Sequence, residues 1–227
     1  MSSYKIIALL PIKFNSERVK GKNFKNFAGK PLFQWILEEL VKVESIEKIV
    51  INTDAKEFLT KYSFMDSDKI IIRERKDNLI GDDVSMNLII EDDINNIKSD
   101  LYIMTHATNP LLTSSSIEKG IRDLKKSKNK DSLFSSKRVQ TRFYDKDLNA
   151  VNHDPNNLIK TQDLPLWFEE NSCLYIFSKK SFEKTKSRIG SDPYLFTLPK
   201  YEAIDIDDNE EWEIAESLML ARINNLK

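Results

Sequence analysis

The stretch YKIIALLPIKFNSERVKGKNFKNFAGKP, residues 4–31, decides how the rest of the chain is interpreted. It begins with five consecutive apolar residues, 6–10, and Pro11 follows them at once. An apolar run this short that ends at a proline is typical of a buried strand. The remainder carries six Lys or Arg side chains and the single acid Glu17. The stretch therefore predicts a core strand that leads into a basic loop.

A basic loop at the carboxyl end of a buried strand lies where open α/β sheets bind their ligands. Lys offers phosphate oxygens a point charge and Arg offers a planar fork, so Lys13 and Arg18 together could hold a triphosphate. Ser16 and the backbone N–H groups near Gly21 would add neutral donors. A solvated surface loop has the same composition, because exposed lysines are common. The position directly after a core strand favours the anion site.

Length and composition limit the classes of protein that fit. The 227 residues, 40% of them hydrophobic, predict one domain over residues 1–227 with a sizeable core. The net charge of −1 offers no broad basic surface for nucleic acid. Cys173 is the only cysteine, so no intrachain disulfide can form, and its apolar neighbours indicate a buried structural thiol. No apolar stretch approaches the roughly 20 residues of a membrane span, and no signal peptide is visible. We therefore expect a cytoplasmic protein with no membrane partner.

Strand and helix patterns alternate along most of the chain. Apolar spacing predicts further strands over residues 48–53, 70–72, 101–106, 132–136 and 201–207. Helices are predicted between them, including one that a capping box of Asp54 and Glu57 would begin. Residues 138–165 are irregular but too long for a structureless loop, and residues 187–199 contain Gly190 and two prolines and are predicted as loop. This alternation indicates a mostly parallel sheet with helices on its faces.

Two carboxylates stand near the end of the chain. In a strand over residues 201–207, Asp205 and Asp207 would point to the same face, about 7 Å apart. Oxygen ligands of this kind suit Mg²⁺, which typically uses one or two carboxylates together with substrate phosphates. An exposed polar face at the edge of the sheet is the alternative.

Motifs in five parts of the chain together resemble one family. They are, in order, the basic loop with Pro11, Lys13, Ser16, Arg18, Gly21, Lys22, Asn23 and residues 28–32; a loop with Arg75, Leu79, Asp82 and Ser85; a turn with Thr108, Pro110, Leu111 and Thr113; the segments 160–165 and 168–177 with Lys160, Gln162 and Asn171; and Asp205-Ile-Asp207. This series resembles the signature of the cytidylyltransferases that activate acidic eight- and nine-carbon sugars, the acylneuraminate and 3-deoxy-manno-octulosonate enzymes.

The chain departs from the family pattern at a few of these positions. Lys13 and Thr161 stand where the family usually has Arg, and Leu112 also replaces an Arg. Asn109 replaces a Ser, and His106 stands where Gln is usual. A Lys keeps the charge of an Arg but loses its bidentate fork. His106 can be interpreted either as a neutral donor to the substrate or as a packed core histidine.

The resemblance implies a fold, a reaction and a set of roles. The fold would be α/β, the Rossmann-like nucleotide-diphospho-sugar transferase fold, with a small dimerisation lobe at about residues 138–170 and a homodimer as the working form. The reaction would join CTP to an acidic sugar with Mg²⁺ as cofactor, giving CMP-sugar and pyrophosphate. The implied roles are catalysis by Lys13, Arg18, Lys22 and Asp207; nucleotide binding by Pro11, Ser16, Asn23, Arg75, Asp82, Ser85 and His106; sugar binding by Thr108, Lys160, Gln162 and Asn171; and metal binding by Asp205 and Asp207.

Two rival functions remain open at the level of sequence. One is a nucleotidyltransferase of the same fold with a different nucleotide or acceptor. The other is a non-catalytic nucleotide-binding protein, which the departures at Lys13, His106, Leu112 and Thr161 would motivate. A dehydrogenase is disfavoured, because no Gly-x-Gly-x-x-Gly follows any predicted strand.

Overall fold

The computed structural model describes residues 4–14 and 21–225. In chain order its elements are β1 (Ile6–Leu9), β2 (Asn26–Phe27), β3 (Lys30–Pro31), α1 (Leu32–Lys42), β4 (Lys48–Thr53), α2 (Lys56–Leu59), β5 (Ile70–Glu74), α3 (Met86–Asn96), β6 (Leu101–Met104), α4 (Ser114–Lys126), β7 (Ser132–Val139), β8 (Trp167–Phe177), α5 (Lys179–Thr185), β9 (Pro193–Thr197) and α6 (Asn209–Asn225). No helix in the described part of the chain is both long and apolar enough to cross a membrane.

Seven strands form one sheet in the order β5-β4-β1-β6-β8-β7-β9. Strand β1 lies inside the sheet and pairs in parallel with β4 and β6, and β4 pairs in parallel with β5. Strand β8 runs antiparallel between β6 and β7, and β7 pairs in parallel with β9. The prediction of a mostly parallel sheet is therefore confirmed. Its carboxyl-terminal edge gathers the loops that follow β1, β5 and β6.

The two faces of the sheet are buried by helices on opposite sides. Along β1, side chains alternate, as strand geometry requires: Ile6 and Ala8 belong to one apolar cluster, and Ile7 and Leu9 to another. The first cluster takes in the apolar faces of α1 and α4, and the second takes in residues of α3 and α5. The predicted arrangement of helices on both faces of the sheet is confirmed, and it holds the loop ends in fixed positions.

Three of the predictions about individual elements are wrong. Residues 201–207 form no strand; the backbone is irregular there, and the N–H of Ile206 donates to the carbonyl of Thr108, at 2.9 Å, outside any ladder. The last strand is β9, which lies within the residues 187–199 predicted as loop. Asp54 begins no capping box either, since its Oδ1 accepts from the N–H of Phe14, at 2.7 Å, and α2 has no side-chain cap.

Residues 140–166 connect β7 to β8 with little regular structure. A bridge between Tyr144 and Ala150 and a short 3₁₀ helix, Thr161–Asp163, are its regular features. The segment packs onto β8 through Phe143, whose ring stacks on that of Trp167 at 5.2 Å. The dimerisation role expected for about residues 138–170 stays a prediction.

Candidate active site

A cavity of about 360 Å³ opens at the carboxyl ends of the parallel strands. Open α/β sheets bind ligands at this edge, and the volume falls in the range of small-molecule sites. We call it the first cavity. Nine of the residues proposed from the sequence line it: Pro11, Lys13, Lys22, Asn23, Arg75, Asp82, His106, Thr108 and Asp207.

The described part of the basic loop is held by its own polar contacts. Gly21 adopts a left-handed conformation, with φ of 63°, and starts the short 3₁₀ helix Lys22–Phe24. The amide of Asn23 then donates to the carbonyl of Lys13, at 2.8 Å. Lys13 Nζ in turn bonds to Asp82 across the cavity. The loop therefore presents its lysines to the cavity from a fixed backbone.

Lys22 is almost completely buried at the first cavity, with 7% of its surface exposed. Its Nζ donates to the carbonyl of Ile206 and lies 3.5 Å from Oδ1 of Asp207. Lys22 therefore joins the basic loop to the carboxylates at the end of the chain, although the two are far apart in sequence.

Arg75 lines the first cavity, but much of its guanidinium supports the fold. Nε donates to Oδ1 of Asn52, at 3.0 Å, and Nη2 donates to the carbonyls of Asn52 and Ile12, at 2.8 and 3.3 Å. Burial lowers the pKa of Arg75, and the nearby charges of Asp54 and Asp93 oppose this. Arg75 thus ties together the ends of β1, β4 and β5. Its expected contact with cytosine and ribose stays a prediction.

His106 stands on the wall of the first cavity, just beyond β6. Burial lowers its pKa to about 3, assisted by the charges of Arg188 and Lys22 and opposed by that of Asp207. Its Nε2 lies 3.3 Å from Nη1 of Arg188. A histidine with this pKa is neutral at physiological pH.

A second cavity of about 360 Å³ lies beside the first. The lysines Lys137 and Lys200 contribute positive charge to it, and Glu169 and Glu170 lie on its wall. Asp207 lines both cavities, so the two meet at this carboxylate.

Asn171 supplies a buried amide to the second cavity. It lies within β8, and 6% of its surface is exposed. Its Oδ1 accepts from the hydroxyl of Ser135 and from the N–H of Cys173, at 2.5 and 3.3 Å. Its Nδ2 has no partner among the described residues. A buried donor without a partner is costly. The sugar-binding role expected for Asn171 stays a prediction.

Asp205 and Asp207 both line the second cavity, although they do not belong to the strand that was predicted to align them. No strand alternation aligns them; the irregular segment before α6 brings them there. Burial raises the pKa of Asp205, and the nearby charge of Asp207 adds to the effect, while a hydrogen bond from Thr108 opposes it. Oδ1 of Asp205 is buried and has no partner within the described ranges.

Three described residues with predicted roles line neither cavity. Ser85 caps α3, where its hydroxyl accepts from the N–H of Asn87, at 3.3 Å. Lys160 and Gln162 are exposed on the segment between β7 and β8. Ser16 and Arg18 lie outside the described residues. The roles proposed for all five stay predictions.

Several side chains that lie at or beside these cavities have no role predicted from the sequence. Lys137 and Lys200 are separated from the motifs, and no local pattern marked them. Arg188 lies in the segment predicted as loop. Glu170 accepts a hydrogen bond from the hydroxyl of Tyr175.

Comparison with known proteins agrees with this geometry. A family model described as Cytidylyltransferase matches residues 7–218. The chain belongs to the cytidylyltransferase family. Like its family, this cytidylyltransferase is an enzyme, which disfavours the non-catalytic alternative.

Curated relatives align with this cytidylyltransferase along nearly all of its length. Pseudaminic acid cytidylyltransferase of Campylobacter jejuni is 23% identical over 94% of this chain and 96% of its own. CMP-N,N'-diacetyllegionaminic acid synthase of Legionella pneumophila is 25% identical over 95% and 96%. The names of these relatives describe the reactions of those proteins.

Solved structures establish the fold of this cytidylyltransferase. CMP:2-keto-3-deoxy-manno-octonic acid synthetase complexed with CTP matches with a TM-score of 0.68, over 96% of this chain and 99% of that one, at 14% identity. The 4-diphosphocytidyl-2C-methyl-D-erythritol synthase of Anaerococcus prevotii matches with a TM-score of 0.67, over 96% of both chains, also at 14% identity. The Rossmann-like nucleotidyltransferase fold predicted from the sequence is thereby confirmed.

Proposed function

We propose that this cytidylyltransferase transfers CMP from CTP to an acidic sugar and releases pyrophosphate. The observation that carries the proposal is the meeting of two cavities at Asp207. A basic cavity suits a triphosphate. A neighbouring cavity with lysines, carboxylates and a buried amide suits a polar acceptor. A shared wall would bring the two reactants into contact, which is the main requirement of nucleotidyl transfer.

The second cavity supports a carboxylate-bearing sugar as the acceptor. Lys200 can attract a carboxylate, and Lys137, whose Nζ lies 2.9 Å from Oε1 of Glu169, could do so by exchanging that partner. Nδ2 of Asn171 can donate to a hydroxyl or an N-acyl oxygen. Pseudaminic and diacetyllegionaminic acids, which the names of two relatives contain, are nine-carbon sugars with these groups. Several relatives of different sugar specificity match at similar identity, so we propose the class and not a single member.

The reaction is an in-line substitution at phosphorus. A hydroxyl oxygen of the sugar forms a bond to the α-phosphorus of CTP, and the bond from that phosphorus to the bridging oxygen of the β-phosphate breaks. Pyrophosphate leaves, and the hydroxyl proton passes to solvent water. Lys13 and Lys22 would offset the negative charge that develops on pyrophosphate. Arg18 would assist them from the part of the loop outside the described residues. The lysines and Asn171 of the second cavity would orient the attacking hydroxyl.

We infer that Mg²⁺ is the cofactor and that Asp205 and Asp207 hold it. Both are hard oxygen donors, as this ion requires, and the buried Oδ1 of Asp205 has no other partner in the described chain. Burial raises the pKa of Asp205, and a cation bound beside this carboxylate would favour its charged form. When bound, Mg²⁺ would polarise the α-phosphate and offset the charge on the reacting oxygens.

The proposed function is tested by pyrophosphate release. The enzyme is incubated with CTP and Mg²⁺ together with sialic, legionaminic, pseudaminic or 3-deoxy-manno-octulosonic acid, with a no-sugar control in each series. We expect release with at least one acidic sugar and little with ATP, GTP or UTP in place of CTP. Release that prefers another nucleotide would favour the rival nucleotidyltransferase. If calorimetry shows that the enzyme binds CTP but no sugar of the panel causes pyrophosphate release, the proposal of an acidic-sugar acceptor is contradicted.

We also propose that the enzyme works as a homodimer in which each lobe completes the partner's site. Lys160 and Gln162 match the family motif, yet they are exposed and line neither cavity of their own chain. The same segment exposes large apolar side chains that a second copy could cover: Tyr144, Leu148, Val151, Leu158, Ile159, Leu166, Trp167 and Phe168. Concentrated exposed apolar surface indicates an interaction site.

Mixing two inactive variants tests this arrangement. Lys160→Met removes the lobe cation, and Asp207→Asn removes the shared carboxylate. If the lobe acts across the interface, half of the sites in a mixed dimer are intact, and a random mixture should regain about a quarter of wild-type activity. No recovery, with dimers demonstrated by light scattering, would place Lys160 in its own chain's site. A monomer would overturn the dimer but leave the proposed reaction standing.

A further inference from the structure

Arg188 lies behind the wall of the first cavity, against His106. Its Nη1 is 3.3 Å from Nε2 of the histidine and 3.8 Å from the sulfur of Met104. Its guanidinium stacks on the ring of Tyr175 at 4.0 Å. The sequence motifs assign no role to Arg188 or to the loop that carries it.

The chemistry of this contact determines which nitrogen of His106 carries the proton. Arginine has donors and no acceptor, and it stays charged in proteins. Nε2 can therefore bond to Arg188 only through its lone pair, so the proton of the neutral ring must be on Nδ1. We propose that Arg188 is a positioning residue that holds His106 as the Nδ1–H tautomer, so that the ring offers a neutral N–H donor at the first cavity. This deepens the proposed function.

The surroundings of the ring keep it neutral in this role. Burial is the main factor that disfavours the imidazolium. The positive charges of Arg188 and Lys22 add to it, and the negative charge of Asp207 opposes it. A protonated ring would also place two donors against each other at Nε2. His106 therefore matches the hydrogen-bonding capacity of the amide NH₂ of Gln, the residue usual at this position.

Arg188 is itself held by strand β8. The ring of Tyr175 lies under its guanidinium, and the hydroxyl of that tyrosine donates to Glu170, a wall residue of the second cavity. Burial raises the pKa of Tyr175 to about 12, so the hydroxyl keeps its proton. The series His106, Arg188, Tyr175 and Glu170 thus runs from one cavity to the other. A donor fixed in this way can select for an acceptor atom on the bound substrate.

Nitrogen-15 NMR of labelled histidine tests the tautomer directly. The chain has two histidines, and His153→Gln assigns the spectrum by removing the other one. In the full-length wild type we expect the His106 signals of a ring protonated at Nδ1 and bare at Nε2. Arg188→Met should convert them to a mixture of tautomers, and Arg188→Lys, which keeps a cationic donor, should preserve the wild-type pattern. Arg122→Met, an exposed arginine on α4, serves as the matched control and should change nothing.

Kinetics separate positioning from a merely structural role. Arg188→Met should lower kcat/KM for CTP turnover by about tenfold, the effect of one misdirected hydrogen bond. In a His106→Gln background the same substitution should have little further effect, because an amide needs no tautomer to be fixed. Three results would overturn the proposal. The wild-type ring could be protonated at Nε2, the spectrum could be unchanged in Arg188→Met, or the losses in the double variant could be fully additive. The NMR result stands whether or not the acceptor is an acidic sugar.

Discussion

Replacing Asp207 by Asn should lower turnover by about three orders of magnitude, or about 4 kcal/mol of transition-state stabilisation. Asp207 lines both cavities and lies 3.5 Å from Lys22, so its charge acts where the two reactants would meet. Asn keeps the shape of the side chain and removes that charge together with a proposed ligand of Mg²⁺. Because the side chain is exposed, the fold should remain intact.

Asp208→Asn is the matched control for this change. Oδ1 of Asp208 caps α6 by accepting from the N–H of Glu211, at 2.9 Å, and Asn caps a helix about as well as Asp. The control therefore removes the same charge one residue away and should keep wild-type activity. Initial rates over a series of Mg²⁺ concentrations, with thermal unfolding of both variants, measure the effect. Unchanged turnover of Asp207→Asn at saturating Mg²⁺ would contradict the metal assignment.

The sequence predicted well those elements whose signal is local. Strand β1 is a short apolar run closed by a proline, and β4 occupies the residues predicted for it. Strand β9 was missed because its signals conflict. Gly190, Pro193 and Pro199 indicate a loop, yet Pro193 occupies the first strand position, where a missing N–H is tolerated. What makes it a strand is pairing with β7, some 60 residues earlier in the chain, and burial of Phe196.

The residues of the candidate site also differ in whether a local sequence pattern marks them. Residues within a motif, such as Lys22 and His106, could be found because each motif follows a predicted strand. Asp205 and Asp207 were predicted for a partly wrong reason, because no sheet holds the backbone between them. The N–H of Ile206 donates to the carbonyl of Thr108, and the carbonyl of Ile206 accepts from Lys22. Arg188 could not be found, because its position depends on contacts with β6 and β8 that no local pattern encodes.

Lys22→Met should lower kcat by about two to three orders of magnitude, the usual effect of removing a group that stabilises transition-state charge. The lysine is almost wholly buried beside Asp207, where a cation acts with little screening by water. Met fills similar space but leaves the carbonyl of Ile206 without this donor, so we also expect a loss of stability of about 1–3 kcal/mol.

Lys25→Met is the matched control, because it removes the same charge three residues further along. Lys25 is exposed, and its Nζ lies 4.6 Å from the ring of Trp212, away from both cavities. Steady-state rates at a temperature where both variants remain folded separate catalysis from stability, and calorimetry with CTP separates binding from chemistry. Because charge builds up on departing pyrophosphate, the loss in kcat should exceed the loss in CTP affinity. Equal activity of the two variants would contradict the role proposed for Lys22 and would leave Lys13 and Arg18 to neutralise that charge.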